Sequence, residues 1–224
     1  FAIGNESKII YFFSKIISFF VIFMLWQSIA CFINAIIQKN KKIIDFGKYT
    51  IFYLIINLLM FAFLYPAPSS HVDITGQFLK VSHYNFDWWM YFVHNCFCIV
   101  FYHILPEFQG YIISSMILYS FIFGYCIYCA KYYLSNKYYW LLIIPFLFPL
   151  ILVYNQIPRR NVISAWIFIF LFMFFIINAR KEYKGFILTS VIGFISAILV
   201  HFRYEFCILT ILLPAIVYFL KIFD

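Results

Sequence analysis

Apolar residues run along this chain in long unbroken blocks. They show neither the two-residue alternation of half-buried strands nor the narrow stripe of a soluble helix. Six blocks reach the roughly 17–25 residues that a helix needs to cross a bilayer: 16–37, 49–65, 110–130, 139–156, 163–179 and 185–202. A seventh, 206–220, is slightly short, and an eighth, 88–105, is interrupted by His94, Asn95 and His103. The pattern predicts an all-α fold: a polytopic bundle of transmembrane helices forming a single domain over 1–224. A first residue Phe1 and an apolar stretch ending at Asp224 read as a piece of a longer chain.

Composition agrees. Apolar residues make up 66% and charged residues only 11%, against about 25% charged in a soluble domain. A water-soluble chain could not cover this much apolar surface. The chain therefore reads as a multi-pass integral membrane protein in contact with lipid. The net charge of +8 does not point to nucleic acid, because membrane proteins use Lys and Arg to set orientation. Cys126 and Cys129 form a C-x-x-C inside an apolar helical run, where small buried side chains explain them better than zinc or redox chemistry.

Charge then sorts the connections. Lys39, Lys41, Lys42 and Lys48, then Lys131 and Lys137, then Arg180, Lys181 and Lys184, and finally Lys221 mark the cytoplasmic side. Span 49–65 then runs outward and span 110–130 runs back. The intervening 66–109 becomes an extracytoplasmic loop with juxtamembrane helices. Its segment 88–105, with Trp88, Trp89, Tyr91 and Tyr102, is expected to lie along the outer surface without crossing. "NQIPRRN" (155–161) and "HFRYE" (201–205) form two further outer clusters.

The outer loop concentrates polar chemistry in "YPAPSSHVDITGQFLKVSHYNFDWW", residues 65–89. Asp73 follows span 49–65 closely, where partial dehydration raises a carboxylate's pKa and makes it a better base. The same residue would also serve as a solvated loop acid or the N-cap of "ITGQFLKV". Asp73 and Gln77 stand four apart and share a helical face. Arg159, Arg160 and Arg203 break the charge rule, and a lipid phosphate held by their guanidinium forks would account for them. Headgroup contact or an Arg203–Glu205 pair is the plainer account. His71, His83, His94 and His103 match no metal-ligand spacing, and His94 and His103, nine apart, point to opposite helix faces. No metal site is assigned; a divalent cation shared by Asp73 and a substrate phosphate is the one cofactor considered. No P-loop, G-x-G-x-x-G, H-E-x-x-H or G-x-S-x-G occurs.

These residues resemble those of membrane glycosyltransferases of the GT-C type, and within them the bacterial O-antigen glucosyltransferase kind. The resemblance covers roughly residues 60 to 215. "YPAPSSHVDITGQF" carries the Tyr-Pro, the acid and the Gln of the first outer loop, and "DWWMYFVHN" carries Trp89 and His94, with Asn95 in place of Thr. "PRRN" and "FRYE" follow in matching order. Ala67 replaces a Gly, Met90 and Tyr91 replace His-Pro, and Asn161 replaces an acid, which leaves Asp73 as the clear catalytic candidate.

The resemblance implies transfer of a sugar from a polyprenyl-phosphate donor to a glycan or lipid acceptor outside the cytoplasm of a bacterial cell. Asp73 would be the general base. Gln77, His94, Arg159, Arg160, Arg203 and Glu205 would bind substrate. A surface-polysaccharide polymerase or ligase, and a transporter or flippase, are the competing classes. Pro145, Pro149 and Pro214 interrupt spans as a transporter's do, though without a charge at mid-membrane.

Overall fold

The computed structural model describes residues 5–65, 92–105, 108–133, 137–157 and 159–179, with 190, 193–198, 200, 208 and 212. The described residues are helical, without strands. The helices are α1 (Asn5–Ile37), α2 (Lys41–Leu64), α3 (Phe92–Ile104), α4 (Phe108–Tyr132), α5 (Ile143–Phe146), α6 (Pro149–Asn155) and α7 (Arg160–Ala179). Four stretches are long and apolar enough to cross a membrane: Tyr11–Ile37, Lys41–Leu64, Phe108–Tyr132 and Arg160–Ile177. They match the expected spans 16–37, 49–65, 110–130 and 163–179. The expected spans 185–202 and 206–220 lie almost wholly outside the described residues.

The lysine-rich linker is shorter than its composition suggests. Helix resumes at Lys41, because the Asn40 side chain accepts a hydrogen bond from the Lys42 amide (3.2 Å) and caps α2. Lys39 takes the left-handed conformation (φ 52°) that closes this tight turn. Lys41 and Lys42 are therefore the first residues of a helix, not part of a loop.

α2 and α4 lie antiparallel in close contact. Tyr53 stacks on Phe123 (4.3 Å), and Phe46 meets Phe121 (5.1 Å) and Tyr128 (6.0 Å). Gly124 allows the approach, since a Cβ there would overlap Thr50 Oγ1. α4 is the central helix, with most of its residues buried on several faces. α7 runs alongside it in the same direction, pairing Trp166 with Tyr119 and Phe170 with Tyr125. One end of the assembly thus carries Lys39, Lys41, Lys42, Lys131 and Lys137. The far end carries the close of α2 and the starts of α4 and α7.

At the lysine end, Lys131 pairs with Asp45 of α2, and the Tyr132 hydroxyl donates to the same carboxylate oxygen (2.6 Å). The rings of Tyr49, Tyr132 and Tyr139 surround the ammonium at 5.8, 5.3 and 5.3 Å. Lys131 is more than an orientation charge: it ties α2, α4 and the turn at Tyr139 together.

The expected span 139–156 is not one helix. It consists of a 3-10 turn (Tyr139–Leu142), α5, a break at Leu147–Phe148, and α6. Pro149 causes the break: it supplies no amide donor and holds Phe148 extended (φ −59°, ψ 128°). Tyr139 meets Tyr49, whereas Asn155 meets Asn57. This segment therefore climbs only eight residues' worth of α2, about 12 Å at 1.5 Å per residue, and the turn into α7 completes the return to the far end.

Candidate functional site

α3 brings the far end its first polar group. Its sequence "FVHNCFCIVFYHI" sets His94, Cys98 and Phe101 on one face and His103 on the other. The first face packs on α4: His94 Nε2 lies 3.3 Å from the Tyr111 hydroxyl, and Phe101 lies 6.0 Å from the Tyr111 ring. His103 meets Tyr11 of α1 edge-on at 6.0 Å. α3, the segment expected along the outer surface, packs between α1 and α4, with His94 3% and Asn95 1% exposed. The two histidines do take opposite faces, as their spacing requires.

Burial, with the Arg160 cation as a second cause, pushes the His94 pKa down to about 3. The imidazole is neutral at physiological pH and acts as a hydrogen-bonding group, not as a cation for phosphate. Arg159 and Arg160, both partly buried, open α7. The Arg159 carbonyl accepts from the amides of Val162 (2.9 Å) and Ile163 (3.1 Å), so the helix starts immediately behind it. Lys15 of α1 lies near His103 and adds cationic character to this side. Of the expected site residues, the structure brings His94 and Arg160 into one neighbourhood with Arg159. Asp73, Gln77, Arg203 and Glu205 lie outside the described residues.

Below this neighbourhood is a polar layer that hydropathy does not reveal. The sequence pattern puts Asn155 and Gln156 in an outer cluster, yet both are fully buried. Asn155 Nδ2 donates to Tyr53 Oη (3.0 Å) and Asn57 Oδ1 (3.0 Å), while its Oδ1 accepts from Trp166 Nε1 (2.9 Å). The Tyr53 hydroxyl donates to the Phe146 carbonyl (3.1 Å), and Asn57 Nδ2 donates to the Tyr53 carbonyl (2.9 Å). Gln156 Nε2 donates to the carbonyls of Asn57 (3.3 Å) and Leu152 (3.1 Å). Non-helical backbone at membrane depth needs such internal partners. This amide knot fastens the end of α6 to the middle of α2, with Trp166 stacked between Tyr119 (5.4 Å) and Phe146 (5.3 Å).

Among the described residues, three buried polar atoms have no hydrogen-bond partner: Ser114 Oγ, the Tyr119 hydroxyl and Gln156 Oε1. Asn57 was the readable signal for this layer, as an amide alone in an apolar run. Tyr53 and Trp166 gave none, because a quarter of the chain is aromatic. Cys126 and Cys129 are buried thiols within α4, consistent with a packing role. Among the described residues, no group of three or more His, Cys, Asp and Glu side chains gathers where a metal could bind. Comparisons with protein-family models, with characterised proteins and with solved structures find no match to this chain.

Proposed function

We propose that the chain is a multi-pass protein of the bacterial plasma membrane that transfers a sugar from a polyprenyl-phosphate donor to a glycan or lipid acceptor on the extracytoplasmic face. The lysine end faces the cytoplasm and the arginine end faces outward. The observation that carries this reading is the position of Arg159 and Arg160. They open α7 beside His94, at the end opposite the lysine turn. Cations there suit a lipid phosphate, and a helix start adds favourable amide dipoles.

In this mechanism Asp73 takes the proton of an acceptor hydroxyl. The resulting oxygen attacks the anomeric carbon, and the bond from that carbon to the lipid phosphate breaks with inversion. The phosphate leaves with both bonding electrons. Arg159, Arg160 and Arg203 stabilise its growing charge, which is the contribution that lowers a transition-state barrier. His94, held neutral, and Gln77 orient substrate. The donor bond is already activated, so the reaction needs no ATP.

The test is a transfer assay on purified protein with labelled polyprenyl-phosphate sugars. Transfer is expected from wild type and should be lost in Asp73→Asn without loss of expression or insertion. Full activity in that variant would remove Asp73 from the mechanism.

One observation favours a second reading, a transporter or flippase. The Pro-broken climb between α4 and α7, fastened by buried amides, is the kind of interrupted helix that transporters place at their binding sites. Movement of the lipid-linked substrate across vesicles, without transfer of its sugar, would select that reading.

A further inference from the structure

The layer around Trp166 contains two open hydrogen-bonding atoms that its own side chains do not satisfy. The Tyr119 hydroxyl is fully buried (0% exposed) and lies near Ser115 but outside hydrogen-bonding geometry. Ser115 donates its own proton to the Tyr111 carbonyl (2.9 Å). Gln156 is 1% exposed, and its Nε2 points at two carbonyls. Those carbonyls fix the orientation of the amide, so the open atom is the oxygen, an acceptor. Tyr119 stacks on Trp166, and Trp166 bonds to Asn155, the neighbour of Gln156. The antiparallel pairing of Tyr53 with Phe123 sets Asn57 and Tyr119 at the same height. Both open atoms therefore belong to one layer. Ser114 does not belong to it, since five residues place it about 140° around α4 from Tyr119.

The chemistry of the pair selects its ligand. Gln156 Oε1 needs a donor, which excludes a phosphate or carboxylate oxygen. The surrounding Tyr53, Asn57, Asn155 and Trp166 carry no charge to hold a free cation. A buried polar atom left without a partner is costly, so native interiors fill such positions. We propose that this layer is a binding site for one neutral hydroxyl, which donates to Gln156 and pairs with the Tyr119 hydroxyl. Two sources supply that chemistry: an internal water, or a sugar hydroxyl reaching in from the arginine end.

Tyr119→Phe removes an oxygen that makes no hydrogen bond to the protein, and Ser115→Ala, which removes the nearest hydroxyl, is the control; an effect of the first without the second reports the ligand. Full-length wild type and variant in lipid nanodiscs are unfolded thermally alone, with polyprenyl phosphate, and with polyprenyl-phosphate hexose. If water fills the site, the variant alone melts lower, by about 3 °C. If a sugar hydroxyl fills it, the variant alone melts at or above wild type, because it lacks a buried hydroxyl without a partner, and it loses the extra stabilisation of the hexose lipid over the bare lipid. A variant at least as stable as wild type that also responds identically to both lipids overturns the site. If neither lipid stabilises wild type, the glycosyltransferase reading loses support, and the ligand-free comparison alone decides the hydroxyl site.

Discussion

Asn155 engages both ends of its amide with three other side chains, and so joins α2, α6 and α7 at a single point. His94 is the equivalent group at the arginine end, and its burial has a consequence for pH. Its pKa falls from the usual 6.5 to about 3 in the fold. Between those values the unfolded chain binds a proton that the folded chain refuses. Stability is therefore complete above about pH 6.5 and falls as pH drops towards 3, by up to about 1.4 kcal/mol per pH unit. His94→Asn should lose that part of the acid sensitivity. Thermal unfolding of both proteins at pH 7, 5.5 and 4.5 checks this, because carboxylates common to the two cancel in the difference. An unchanged pH slope in the variant would contradict it. Single residues were partly legible in sequence. His94 and the two arginines stood out as polar groups in apolar surroundings. Tyr53, Tyr119 and Trp166 did not, since their roles depend on neighbours distant along the chain.

The helices themselves were legible where length and hydrophobicity sufficed. α1, α4 and α7 each contain an expected span, and α2 covers 49–64 of another. The segment 139–156 was not, because block length counts apolar residues and ignores what Pro149 does to backbone hydrogen bonding. The packing of α3 between α1 and α4 was also unreadable, because an aromatic helix bearing two histidines carries no signal of which helices it meets. Close contact of α2 with α4 gives a test at this scale. A side chain at Gly124 would meet Thr50 Oγ1, the Thr50 amide nitrogen (3.1 Å) and the Phe46 carbonyl (3.2 Å). Gly124→Val should force the helices apart and cost about 1–3 kcal/mol. Gly193→Val is the control, since a Cβ there meets nothing within 4 Å. Thermal unfolding temperatures compare the two, and equal effects would argue against the tight α2–α4 crossing.

At the scale of the whole molecule, the two ends differ in chemistry. The lysine end closes on an Asp45–Lys131 pair inside a ring of tyrosines. The far end gathers Arg159, Arg160 and the buried His94. Because α2 and α4 run antiparallel, α2 ends and α4 begins at the far end; Asp73 belongs in sequence to the connection between them and lies outside the described residues. The most direct test of this sidedness is single-cysteine labelling in intact cells, with the six native cysteines replaced by alanine. A membrane-impermeant maleimide should label Asp73→Cys from outside and should reach Lys137→Cys only after permeabilisation. Labelling of both from the same side would contradict the account.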